Sequence, residues 1–206
     1  MRVTAKTKAV TRGRILRTAS ELFEARGFEA TTTRDIARAA DIAAGTLYNY
    51  FETKEAIIAS LVYEAMADGC DQFERTPLVA ESFEEALFAF VAADLRKLKP
   101  LRNQIVALFE TTLSPLASIT GRPEDNSIRA MHLETVSRLA RKHGVGDLSP
   151  VALQLYWTLY TGVLLYWAND KSSRQELTLA LLDQSLAMFA GWLNNQQNQT
   201  IKSGRK

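Results

Sequence analysis

At 206 residues, with 47% apolar and 23% charged side chains, the chain has ample material for a packed core and is excluded from the wholly disordered class. Its net charge of +2 says little about partners, but ten basic and seven acidic residues lie at or before Glu55, which leaves the remainder slightly acidic. A positive leading end on a slightly negative remainder is the distribution expected of a phosphate-seeking head.

Apolar residues recur at helical spacing and nowhere alternate, so the sequence predicts an all-α chain of about nine helices. Residues 1–10 are polar and basic and are expected to form a flexible arm. A first helix runs from near Arg12 to Arg26, with Ile15, Ala19, Leu22 and Phe23 on one face and Gly27 as its stop. Thr32, with Asp35 three residues on, opens a short second helix that ends near Ala40. A third covers about Ala43 to Tyr50. Thr53 caps a longer fourth helix that Thr76-Pro77 stops. Cys70, the sole cysteine, sits in its apolar pattern and is expected to be buried and structural; an intrachain disulfide is impossible.

Farther on, Ser82 with Glu85 opens a helix that ends before Pro100. The segment after Pro100 is helical to about Leu113 and breaks at Ser114-Pro115. Asp125 opens a helix closed by Lys142, His143 and Gly144. Ser149-Pro150 starts the next, with proline at the first helical position. Ser173 with Glu176 caps the last, which ends near Leu193, and residues 194–206 are expected to be a disordered polar tail. The longest apolar stretch, Leu159 to Ala168, is too short to span a bilayer, and no apolar signal-peptide core follows the basic N-terminus. A cytoplasmic protein with no membrane partner is the expectation.

The chemistry is carried by residues 28–54. Two short helices joined by a tight turn under a longer first helix make the trihelical helix-turn-helix. Ile36, Ala37 and Ala40 face inward from the second helix, and Ile42, Leu47 and Phe51 hold the third. Asp41 occupies the turn, where a left-handed backbone is expected. With Leu47 and Phe51 inside, Ala44, Thr46, Tyr48 and Asn49 lie on or near the outer face, flanked by Tyr50. Ala44 and Gly45 leave room for the backbone to approach a groove floor, and the later residues can hydrogen-bond phosphates or base edges. Thr33 and Arg34 start the second helix, whose free N–H groups suit an anion. Lys54 opens the fourth helix as a further phosphate ligand.

The same segment resembles the signature of the TetR (tetracycline-repressor) family of bacterial transcriptional regulators. The resemblance rests on Ile15-Leu16, Ala19, Leu22-Phe23, Gly27-Phe28, Thr31-Thr32 and Asp35-Ile36-Ala37. Gly45-Thr46-Leu47-Tyr48, Tyr50-Phe51 and Lys54-Glu55 complete it. It covers about the first quarter of the chain. It implies DNA contact at Thr33, Arg34, Ala44, Gly45, Thr46, Tyr48, Asn49, Tyr50 and Lys54. Two positions depart from the family pattern: Ala43 stands where a Ser or Thr cap is common, and Asp41 where Gly is usual. Either Asp41 supplies the cap or the third helix starts loosely.

Residues 11–55 therefore read as a DNA-binding head, and residues 56–193 as a ligand-sensing and dimerisation body. Leu153, Trp157, Tyr160, Leu164 and Trp167 form one apolar stripe of the penultimate helix, with Ala152, Tyr156, Leu159, Val163 and Tyr166 beside it. The last helix offers Leu182, Leu186, Phe189 and Leu193, with a small-residue seam at Ala180, Ala187 and Gly191. Two such helices from each subunit would form a four-helix bundle; the resemblance implies that homodimer.

The resemblance also implies a small-molecule pocket, with Phe88, Arg102, Phe109, Thr112, Met131, Tyr156, Tyr160 and Trp167 as candidate lining residues and an apolar or aromatic effector. The partners expected are a palindromic DNA duplex, a second subunit and that effector. No cofactor or metal is called for, since His132 and His143 lie about 16 Å apart along one helix. Without a Gly-rich phosphate loop, a His–carboxylate cluster or a nucleophile elbow, catalysis is not expected. The reading is a transcriptional repressor released from its operator by the effector. A helical architectural or adaptor protein without an effector is the rival.

Overall fold

A computed structural model of the chain describes residues 4–76, 80–108 and 123–203. In order these hold α1 (Ala5–Arg26), α2 (Thr33–Ala39), α3 (Ala44–Tyr48), α4 (Lys54–Arg75), α5 (Phe83–Leu98) and α6 (Arg102–Leu108). Then follow α7 (Pro123–Lys142), α8 (Pro150–Asn169) and α9 (Glu176–Ser203), with 3-10 turns at Lys99–Leu101 and Ser173–Gln175. The described residues contain no strand, and the chain is all-α. Phe109 and Thr112, and the breaks expected at Pro77 and Ser114-Pro115, lie outside the described residues.

The ends of the chain correct two expectations. Residues 5–10 are not an arm but the first turns of α1, because the Thr4 hydroxyl accepts the N–H of Thr7 and Ala5, Lys6, Lys8 and Ala9 are good helix formers. At the other end α9 continues through Ser203, since nothing between Leu193 and Gly204 breaks a helix. Polarity removed the apolar stripe from both ends without removing helical propensity. The start of α9 also differs. Ser173 does not cap it; the Asp170 carboxylate accepts the N–H of Thr178, and the Ser172 hydroxyl accepts that of Leu177.

In the head, Ile15, Leu16, Ala19 and Phe23 of α1 meet Ile36 and Ala37 of α2, then Ala40, Leu47 and Phe51, all buried. Ile42 is half-buried against this core. Gly27 ends α1 at φ 83°, a left-handed conformation that glycine takes freely. The buried Thr31 hydroxyl donates to its carbonyl oxygen at 2.8 Å, which fixes the approach to α2. Cutting a buried leucine such as Leu47 to alanine typically costs about 2–5 kcal/mol, whereas exposed side chains outside such features usually matter within about 0.5 kcal/mol. The head thus separates residues that fold it from residues free to do something else.

The fourth helix runs from the head into the body, where Ile57, Ile58, Val62, Met66 and Cys70 are buried. It lies antiparallel to α5: Phe73 packs on Phe90 at 5.3 Å, and Gly69 faces Asp94 so closely that a Cβ would stand 3.2 Å from Asp94 Oδ1. Arg12 of α1 pairs with Glu64 of α4 at 2.5 Å, on the surface, where such pairs contribute about 0–1 kcal/mol. The body core gathers Leu87, Phe90 and Leu98 of α5, Val136 of α7, Tyr156, Trp157, Tyr160 and Trp167 of α8, and Leu182, Leu186 and Phe189 of α9.

Candidate nucleic-acid interface

The edge formed by α2 and α3 is built from two differently secured helix starts. Thr32 caps α2: its hydroxyl accepts the N–H of Asp35, and the Asp35 carboxylate accepts the N–H of Thr32, each at 3.1 Å. The Thr32 hydroxyl also donates to Asp35, and chiefly by this it holds the carboxyl below the ordinary aspartate range. Ala43 precedes α3 and makes no side-chain cap, so the loosely started helix is the alternative found. Asp41 takes the left-handed conformation expected of the turn, φ 52°.

Leu47 and Phe51 point inside, and the opposite edge is open. Arg34, Ala44, Gly45, Tyr48 and Asn49 are exposed; Thr33, Thr46 and Tyr50 are half-buried, Tyr50 against the core. Tyr48 keeps 50% of its surface, and its hydroxyl lies 3.0 Å from the Thr33 hydroxyl, which ties the two short helices together. Gly45 is notable for what does not explain it: a Cβ there would meet nothing within 4 Å, so packing within the chain does not demand glycine. Lys54 is half-buried behind this edge. Its ammonium donates to the Phe28 carbonyl oxygen at 2.7 Å and lies 4.0 Å from the centre of the Phe28 ring. It therefore fixes the α1–α2 connection as well as carrying charge.

In the body, Tyr156, Tyr160 and Trp167 are fully buried, while Phe88 and Met131 are half-buried against the core. Neither of the two described cavities is lined by any of these five; Arg102 lines the larger. What the aromatic stripe surrounds is a polar centre that sequence reasoning missed. His132 and Asp94 are both fully buried, with His132 Nδ1 3.0 Å from Asp94 Oδ2. His132 Nε2 meets the Tyr156 hydroxyl at 3.0 Å, and the Tyr160 ring lies 4.1 Å from the imidazole.

Burial pushes the Asp94 carboxyl up, against the opposing pull of His132. The same loss of water raises both tyrosines well above their ordinary range. The Trp157 indole N–H, on a ring 5.8 Å from the imidazole, is buried without a partner among the described residues. Buried polar groups usually find partners, so this centre has unused capacity. A carboxylate on the otherwise apolar stripe Leu87–Val91–Leu98 was the available signal.

A third surface joins α8 to α9. Val151 and Tyr166 of α8, and Leu177, Leu181 and Met188 of α9, are exposed, Met188 by 64%. Leu155, Leu159 and Trp192 lie half-buried beside them. Along α9 the small residues Ala180 and Gly191 share this exposure and Ala187 is half-buried.

Residues 15–61 match the profile of the family described as bacterial regulatory proteins, tetR family. The chain is 45% identical over 51 residues to the HTH-type transcriptional repressor KstR2 of Mycobacterium tuberculosis; the match takes in 25% of this chain and spans about a quarter, 26%, of that repressor. Among solved structures, the TetR-family repressor FadR of Thermus thermophilus, in complex with lauroyl-CoA, superposes with a TM-score of 0.67 at 24% identity. It covers 87% of this chain and 93% of its own. GusR of Salmonella enterica superposes with a TM-score of 0.54 at 26% identity, over 93% of this chain and 98% of its own.

Proposed function

We propose that this chain, which belongs to the tetR family of bacterial regulatory proteins, is a dimeric cytoplasmic repressor that binds a palindromic operator and leaves it when an effector enters its body. The head runs from the start of α1 at Ala5 to residue 55, and the body from residue 56 to the end of α9 at Ser203. The observation that carries this reading is the open α2–α3 edge: the residues that fold the head are inside, and Arg34, Ala44, Gly45, Tyr48 and Asn49 are outside. Gly45 supports it further, because a glycine not required by the chain's own packing suits close approach to an outside surface.

On this reading α3 enters the major groove. Ala44 and Gly45 lie nearest its floor, Thr46, Tyr48, Asn49 and Tyr50 meet base edges or phosphates, and Thr33, Arg34 and Lys54 hold the flanking backbone. Two such heads spaced by about 34 Å read two half-sites on one face of the duplex. The apolar α8–α9 surface supplies the second subunit as a four-helix bundle, with Ala180, Ala187 and Gly191 allowing close approach. The effector has an apolar or aromatic part and occupies the aromatic–polar centre around Tyr156, Tyr160 and His132; the same fold in FadR carries an acyl-CoA. Binding there acts on α4, which continues from the body core into the head at Lys54, and so changes the spacing of the heads. A ligand achieves this only by preferring one spacing.

Selection of bound fragments from the source genome tests the reading. Recovery of a recurrent inverted repeat supports it. Fragments sharing no sequence, or no fragments at all, favour the adaptor reading.

A further inference from the structure

Between the end of α5, the start of α6 and the turn from α8 into α9 lies an open cleft of about 670 Å³. Its walls carry five cations, Arg96, Lys99, Arg102, Lys171 and Arg174, against one acid, Asp170. That acid is already committed. Its carboxylate accepts the N–H groups of Ser172 and Thr178 and the Thr178 hydroxyl. Arg102 is fixed in place: it donates to the carbonyl oxygens of Trp167, at 2.9 Å, and Asp170, and lies over the Trp167 ring.

The other four cations are exposed and make no ion pair with a described residue. Elsewhere in the body Lys97 is answered by Asp68, Arg138 by Glu74 and Arg141 by Asp147. Positive charge concentrated on a concave wall focuses a field that an anion relieves.

The backbone adds a second observation. Arg174 and Gln175 stand consecutively in the left-handed region, at φ 51° and 59°, which side chains bearing a Cβ resist. Trp167 Nε1 donates to Gln175 Oε1 at 2.9 Å, one of the contacts that hold this turn. The disfavoured turn is also what carries Arg174 onto the cleft wall. Ala92, Leu95 and Leu179 supply apolar lining. A concave site of this size suits a small molecule better than a duplex backbone. Because α5 runs antiparallel to α4, the cleft stands toward the end of α4 that enters the head.

We infer that this cleft binds a small organic anion carrying two or more phosphates, with the phosphates on Arg96, Lys99 and Arg174 and the carbon portion against Leu95 and Leu179. Binding rests on the cleft alone; its meaning, that such an anion is the polar head of the effector placed above, rests on the regulator reading. Guanidinium and ammonium groups together provide the charge-assisted hydrogen bonds that phosphate oxygens take.

Calorimetric titration of the full chain at fixed ionic strength, without DNA, tests the site with ADP, inorganic pyrophosphate and adenosine. The variant Lys99→Gln/Arg174→Gln changes two exposed side chains, and its melting curve is recorded alongside. ADP and pyrophosphate are expected to saturate one site per subunit, with adenosine at least tenfold weaker and the variant at least tenfold weaker for ADP. Absence of saturable phosphate binding, or equal binding by an intact variant, overturns the inference. So does a variant that loses operator affinity while no phosphate compound binds, since the cleft would then be a DNA contact. Operator binding by the unaltered chain is measured separately: with it but without ADP binding only the cleft assignment falls, and ADP binding without it removes the regulator reading alone.

Discussion

Tyr48 and Thr33 meet hydroxyl to hydroxyl at 3.0 Å across the gap between α3 and α2. Neither is core: Tyr48 keeps half its surface and Thr33 is half-buried. The pair fixes the relative position of two short helices on their solvent side, where a fold gains little by fixing anything. A single intramolecular hydrogen bond contributes about 0.5–1.5 kcal/mol. If this edge is the DNA-contacting surface proposed above, the pair holds the two helices in register before a duplex arrives, which lowers the ordering cost of binding.

Gly45→Ala separates folding from function by the sign of its two effects. Nothing within 4 Å opposes a new methyl group, and alanine in a helix gains about 0.5–1 kcal/mol over glycine. The variant is expected to melt no lower than the parent while binding operator at least tenfold more weakly. Thermal melting and fluorescence anisotropy on one preparation check both.

Cys70 is expected to be inert in the folded protein. Burial pushes its thiol up to about 11, and the nearby Asp94 charge adds to the rise, so at pH 8 almost no thiolate exists. A thiol reagent at pH 8 should label the chain only after denaturant is added. Rapid labelling of the native protein would contradict the buried placement.

Asp170 carries a pH-dependent share of stability. The Thr178 hydroxyl first, and the Ser172 contacts after it, hold its carboxyl well below the usual 3.8. A folded value below the unfolded one means stability present above about pH 4 and lost as pH falls through and beyond that value. Asp170→Asn should lower the melting temperature at pH 7 and flatten its decline on acidification. An unchanged acid limb would mean that other carboxylates carry it.

Leu181→Glu places a charge in the middle of the exposed α9 stripe, where the lone subunit tolerates it because the side chain is already 37% exposed. In a bundle it would be buried without a partner. Sedimentation should show a folded monomer for the variant and the proposed dimer for the parent, with weaker operator binding by the variant. A dimer that persists unchanged would place the interface elsewhere.

The head was legible because a buried face repeats. Ile15, Ala19 and Phe23 sit at helical spacing on α1 and meet Ile36 of α2 and Leu47 of α3, and their inward direction leaves the outer edge determined by subtraction. Where a residue's role depends on a neighbour distant in sequence, spacing was silent. Lys54 carries a visible charge, but its bond to the Phe28 carbonyl does not show in a string of letters. The meeting of Asp94 with His132, from helices 38 positions apart in the chain, required the antiparallel packing of α5 and α7 around α4. The same holds for the cations of the cleft, which come from residues 96–102 and 171–174. Polarity misled at residues 5–10 and beyond Leu193, because an even polar stretch looks the same whether helical or not.

Whether the α2–α3 edge is the surface that meets DNA is decided by the variant Tyr48→Ala. Anisotropy titration of a selected operator, paired with a melting curve and sedimentation, is the measurement. Affinity is expected to fall at least a hundredfold with the dimer and its melting intact. Undiminished operator binding by a folded Tyr48→Ala dimer would contradict it, as would collapse of the head itself.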